Sequence, residues 1–127
     1  MREEKAVTSP QEAMEDAMEI EGAIGVALVD FESGRSLGQT GGGDALNLEV
    51  ASAGNTEVVR AKMETMANLG LEDAIEDILI TLGRQYHIIR PLKTAPSLFL
   101  YLALERSKSN LAMARRQLAS IERNLDL

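Results

Sequence analysis

Three short apolar runs in the second half of the chain leave little freedom in how its backbone can be arranged. Ile75 to Leu82 (IEDILITL), Tyr86 to Leu92 (YHIIRPL) and Leu98 to Leu104 (LFLYLAL) read as strands, and only Gly83-Arg84 and the Thr94-Ala95-Pro96 break separate them. Parallel neighbours need a crossover of about a dozen residues or more, so strands this close in sequence run antiparallel. The Gly83-Arg84 turn is tight enough for a hairpin, and Pro91, which cannot donate to a ladder, belongs near a strand end or an edge.

The first half supplies a second sheet-forming unit. GAIGVALVDF (22–31) is an almost continuous apolar run with β-branched residues, which suits a strand buried on both faces in the middle of a sheet. Asp30-Phe31-Glu32-Ser33-Gly34 reads as a turn, and Arg35-Ser36-Leu37 begins a return strand that the glycines of GQTGGGDA (38–45) then break.

Helices frame these strands. Ser9-Pro10-Gln11-Glu12 has the makings of a capping box with proline at the first helical position, and Ala13, Met14, Ala17, Met18 and Ile20 form an apolar stripe over a helix at about 10–21. A Met stripe of this kind is core filler. Residues 45–68 read as a long helix with Val59, Met63 and Met66 on one stripe, stopped by Gly70. From Ser109 to Leu125 the spacing of Leu111, Ala114, Leu118, Ile121 and Leu125 gives one apolar seam, with Arg115, Arg116, Glu122 and Arg123 off it. The element order is therefore α-β-β-α-β-β-β-α, an α+β fold in which helices pack on a five-stranded antiparallel sheet. Residues 9–127 are expected to form one domain behind a flexible N-terminal extension, residues 1–8.

Charge and composition exclude several function classes. Twenty acidic residues against 13 basic ones give a net charge of −7, which disfavours binding to nucleic acid or an anionic membrane. The charge is uneven: residues 1–21 carry a local net of −5, whereas residues 105–127 carry +2. With no cysteine, a disulfide framework, a thiolate nucleophile and a Cys-type zinc site are all ruled out. The N-terminus lacks an apolar signal core and no apolar run reaches membrane-spanning length, so a cytoplasmic protein is expected.

Catalytic chemistry is not legible. Gly38 and Gly43 have the spacing of a phosphate-binding loop, but Asp44 and Ala45 stand where such a loop needs Lys and then Ser or Thr. GQTGGGDA is better read as a strand-to-helix connection with Asp44 as a helix cap or first-turn acid. His87 is the sole histidine and is expected on one face of a strand; with no second histidine it makes a metal centre improbable. The pairs Glu72-Asp73 and Glu76-Asp77 are expected to solvate the loop before the third strand. No catalytic residue, cofactor site or metal site is assigned, and the chain is read as not an enzyme.

What remains is apolar surface that a monomer would struggle to hide. The ILITL strand is an aggregation hazard if left bare at an edge, and Gly54 in the interior of the long helix costs about 1 kcal/mol against Ala unless another backbone passes close by. A twofold pairing of strand edges and long helices covers both, with Gly54, Val59, Met63, Met66, Ile78 and Ile80 as the expected interface.

Four stretches carry a family resemblance. ASAGNTEVVRAKM (51–63), with its Gly-Asn pair, resembles the long second helix of the roadblock/LC7 family, small domains related to dynein light chains and to bacterial partners of Ras-like GTPases. DILITLGRQYHIIRPL (77–92) and SLFLYLALE (97–105) are similar to its meander, and KSNLAMARRQL (108–118) to the start of its last helix. This resemblance implies a roadblock/profilin-like sheet, paired into ten strands in a homodimer through the third strands and second helices. It further implies no enzymatic activity and a role as regulator or scaffold, most often bound to a small GTPase. A small-molecule sensor or a structural adaptor without a GTPase partner is the alternative; a hydrolase rests only on scattered acids.

Overall fold

The computed structural model describes residues 7–127; of the expected N-terminal extension, residues 1–6 lie outside the described residues. The elements are α1 (Pro10–Met18), β1 (Ala23–Asp30), β2 (Arg35–Gly41), α2 (Leu48–Asn68), β3 (Ile78–Thr81), β4 (Gln85–Pro91), β5 (Leu98–Glu105) and α3 (Leu111–Asn124), with 3-10 turns at Gly43–Ala45 and Arg106–Lys108. One five-stranded sheet results, in the order β2-β1-β5-β4-β3, and every pairing is antiparallel. The hairpin of the first half and the meander of the second are zipped together by β1 against β5.

These central strands carry the core because their side chains are apolar on both faces. Along β5, Leu100, Leu102 and Leu104 point to one side and pack with Val26, Leu28 and Ile88 beneath α1 and α3. Phe99, Tyr101 and Ala103 point to the other side, where they meet Ala27, Val29 and Ile89 beneath α2. The two helical layers are anchored differently. Ala13, Met14 and Ala17 of α1 and Ala114 and Leu118 of α3 are fully buried, as the apolar seams predict.

Local chemistry fixes the boundaries, and several differ from the sequence expectation. The Ser9 hydroxyl accepts from Glu12 N at 3.2 Å while the Glu12 carboxylate accepts from Ser9 N at 3.0 Å, a complete capping box for α1. That helix stops at Met18 and not at residue 21. Thr8, placed by the sequence in the extension, is tied to the far end of the chain: its N–H donates to Asn124 O at 2.8 Å and its carbonyl accepts from Asp126 N at 2.8 Å.

The glycine run is partly strand. β2 continues through Gly41, and Gly41 and Gly42 take φ of +82° and +79° to reverse the chain. A Cβ on Gly41 would lie 2.7 Å from Ile24 O, and one on Gly42 2.6 Å from Leu46 O, so these glycines allow close backbone packing. The reversal moves the start of α2 to Leu48. Asn47, not Asp44, caps it by accepting from Glu49 N and Val50 N, each at 3.1 Å.

Candidate functional site

A sheet of this kind has two edges, and they are built unlike one another. The β2 edge is broken by a bulge, where Leu37 is the extra residue between the pairs Leu28 with Gly38 and Val29 with Ser36. Bulges and glycines turn an edge away from further pairing. The β3 edge has no such protection. Ile78, Leu79, Ile80 and Thr81 pair in unbroken register with Ile89, Ile88, His87 and Tyr86, and their opposite flank pairs with no strand among the described residues.

Beside this edge the long helix outruns its support. Leu48, Ser52, Asn55, Thr56 and Val59 are buried; beyond Val59 no residue of the helix is buried, Met66 alone is half-buried, and Arg60 holds the last contact with the β1–β2 turn through Phe31 O and Glu32 O. At 1.5 Å per residue, nine residues from Arg60 to Asn68 extend roughly 13 Å past the last buried position. Met63, Leu69 and Leu71 are 42%, 66% and 53% exposed. The chain turns at Gly70 and runs back through residues 71–77, leaving one groove lined by Val58, Ala61, Met66 and Ile78 and another lined by Met63, Met66, Leu71, Ile75, Leu92 and Pro96.

No protein-family model matches the chain, and no curated protein does. Solved structures do. The chain superposes on the roadblock/LC7 domain from Streptomyces avermitilis with a TM-score of 0.76 at 10% identity, covering 91% of this chain and 93% of that one. The chain has the roadblock/LC7 fold. It is similar also to MglB of Myxococcus xanthus (TM-score 0.73, 13% identity, 90% of this chain and 79% of that one) and to the gliding protein MglB of Thermus thermophilus (0.67, 17%, 96% and 98%). The expected α-β-β-α-β-β-β-α order is that of the roadblock/LC7 fold seen here.

Within this roadblock/LC7 fold five of the six expected interface residues fall into three groups. Ile78 and Ile80 lie on the α2 face of the bare edge, half-buried. Met63 is exposed on the overhang of α2 and Met66 half-buried between the two grooves. Gly54 is exposed with no atom within 4 Å of where a Cβ would sit, so no backbone of this chain comes near it. Val59 is the exception. It is fully buried in the core beneath α2 and has no surface to offer, because the stripe of 59, 63 and 66 crosses from covered to uncovered helix.

The polar residues under α2 form a chain toward the same edge. His87 Nε2 lies 2.7 Å from Gln85 Oε1 and its Nδ1 3.2 Å from the Tyr101 hydroxyl, an arrangement that suits a neutral ring donating to Gln85 and accepting from Tyr101. Burial lowers the His87 pKa, and burial raises that of Tyr101, an effect the Asn55 side chain offsets in part. Asn55 is buried, and its Nδ2 lacks a well-aligned hydrogen-bond partner. Among the described residues no group of three or more His, Cys, Asp or Glu could hold a metal ion, and no helix is long and apolar enough to cross a membrane.

Two ion pairs on the opposite face escaped the sequence reading. Asp77, expected to solvate a loop, is instead buried and held by two hydrogen bonds from Arg115, Nε to Oδ2 at 2.8 Å and Nη2 to Oδ1 at 3.0 Å. The Asp77 hydrogen bonds, then its charge, push the Arg115 pKa further up. The second pair joins Arg90 Nε to Glu122 Oε1, both buried, while Glu122 Oε2 accepts from Lys93 N at 2.8 Å. Residues 115 and 122 are seven apart, two turns along one side of α3, a spacing that could have drawn attention to them.

Proposed function

We propose that the chain is a non-catalytic regulator or scaffold that works as a homodimer and binds a Ras-like small GTPase. The observation that carries the dimer is the regular, unprotected β3 edge lying beside an apolar overhang of α2. Pairing of two β3 edges about a twofold axis joins two sheets into one of ten strands, satisfies the bare backbone groups, and brings a second copy over Ile78, Ile80, Met63 and Met66. Gly54 supports the same reading. A helix-interior glycine that nothing in its own chain requires is a cost that close approach of another backbone explains. The GTPase rests on the likeness to roadblock/LC7 domains, which joins the four matching stretches to the fold.

Sedimentation equilibrium tests the dimer directly; a monomer at tens of micromolar removes it. Affinity capture from lysate of the source organism, in parallel with a non-hydrolysable GTP analogue and with GDP, tests the partner. A Ras-like GTPase enriched in one nucleotide state is the expected outcome, and its absence in both states refutes that part of the reading.

One observation favours the alternative of a small-molecule sensor. The groove between Met63, Met66 and Pro96 has a volume of about 460 Å³, within the range of ligand sites, with Asp73 and Lys93 among its lining residues. Thermal shift against a metabolite panel separates the two readings.

A further inference from the structure

The position of the bare edge is set from the other side of the sheet. Asp77 immediately precedes β3, and its carboxylate points toward α3, the face on which Leu79 also packs, while Ile78 and Ile80 face α2. The ladder begins at the pair Ile78 with Ile89, and the residue just outside it on each strand is tied to α3: Asp77 to Arg115, and Arg90 to Glu122. Asp77, Arg90 and Glu122 side chains are 8%, 10% and 8% exposed, whereas Arg115 is 47% exposed. Arg115 thus closes this set of charges from outside.

The segment that needs fixing is the one before β3. Residues 71–77 have no secondary structure, and the strand they deliver is only four residues long. A one-residue slip of so short a strand would exchange the faces of Ile78, Leu79 and Ile80 and move Asp77 away from α3. The bidentate grip on Asp77 opposes that slip, because a planar guanidinium meets a carboxylate in one geometry.

We infer that Arg115 is a positioning residue for self-association: acting through Asp77, it fixes where β3 begins and which side chains its free edge presents to a second copy. This rests on the homodimer reading above. Each protomer carries one such clasp, so its loss counts twice in the dimer.

The test is a double-mutant cycle on the dimer dissociation constant by sedimentation equilibrium, with Arg115→Gln, Asp77→Asn, the double variant, and Arg116→Gln as a neighbouring control. Arg115→Gln is expected to raise the Kd by about tenfold. In the Asp77→Asn background the same change is expected to have little further effect, and Arg116→Gln to leave the Kd within about twofold of wild type. Far-UV circular dichroism and thermal unfolding below the Kd should show each variant folded. A monomeric wild type overturns the homodimer and this inference together. A dimeric wild type with an unchanged Kd in Arg115→Gln, or additive effects of the two changes, overturns the inference alone. Loss of the folded signal in Arg115→Gln also overturns it, since the clasp would then hold the whole domain and not its edge.

Discussion

Replacing Gly54 by Ala should push the stability of the monomer and that of the dimer in opposite directions. The residue lies in the second turn of α2 and is absent from the glycines that adopt positive φ. A Cβ there meets nothing within 4 Å. The added methyl therefore costs no strain in the isolated chain, and the helix-forming advantage of Ala over Gly, about 1 kcal/mol, is gained in full. For a chain of this length that corresponds to a rise in Tm of roughly 3–5 °C. In the proposed dimer the open space above Gly54 is filled by the second copy, and two methyls are added per dimer. Self-association should weaken by about tenfold or more. Thermal unfolding below the dissociation constant reads the first effect, and sedimentation equilibrium reads the second. If Gly54→Ala leaves self-association unchanged, Gly54 lies outside the interface; if it destabilises the monomer, the reasoning from open space is wrong.

Three further outcomes are expected. Ile80→Lys places a charge on the free strand and should yield a monomer with an intact far-UV spectrum, because an edge lysine blocks strand pairing while its stem still covers the sheet; a dimer of wild-type affinity counts against the β3 edge. Glu122→Gln leaves Arg90 buried without its counter-charge and should cost about 3 kcal/mol in urea unfolding. His87 titrates lower when folded than its ordinary 6.5, so its neutral form is the one the fold favours; its contribution is fully present above pH 6.5 and is lost as the pH falls toward the folded value. The drop in urea midpoint between pH 7.5 and 5.5 should accordingly be smaller in His87→Gln than in wild type.

The parts of the fold that were legible in sequence are those whose signal is local and dense. GAIGVALVDF and LFLYLAL declare themselves as central strands because both faces are apolar, and the seam from Leu111 to Leu125 because one helix face is. Asp44 was a poorer guide than Asn47 because the intervening glycines turn the chain back, and cap identity depends on where that turn ends. β3 begins at Ile78 and not at residue 75, and Asp77 just before it is held by an arginine 38 residues away, a partner no local pattern announces. Nor could the stripe of Val59, Met63 and Met66 reveal that α2 leaves the core between its first and second members. Within the candidate interface, apolar character and edge position were readable; the boundary between buried and uncovered helix required the tertiary structure.

The zipper between β1 and β5 has a consequence in time. Val26 faces Leu102 across it, a separation of 76 residues (102 − 26), and the closure it demands is slow compared with the short turns that join β3, β4 and β5. The meander can therefore form while the hairpin of the first half is still searching for its place. During that interval the molecule has two free flanks, the outer side of β3 and the side of β5 that β1 will occupy, and β5 is the more apolar. A meander formed ahead of the hairpin would leave the strand destined for the centre of the sheet as an edge, so aggregation is expected to be worst before the halves meet.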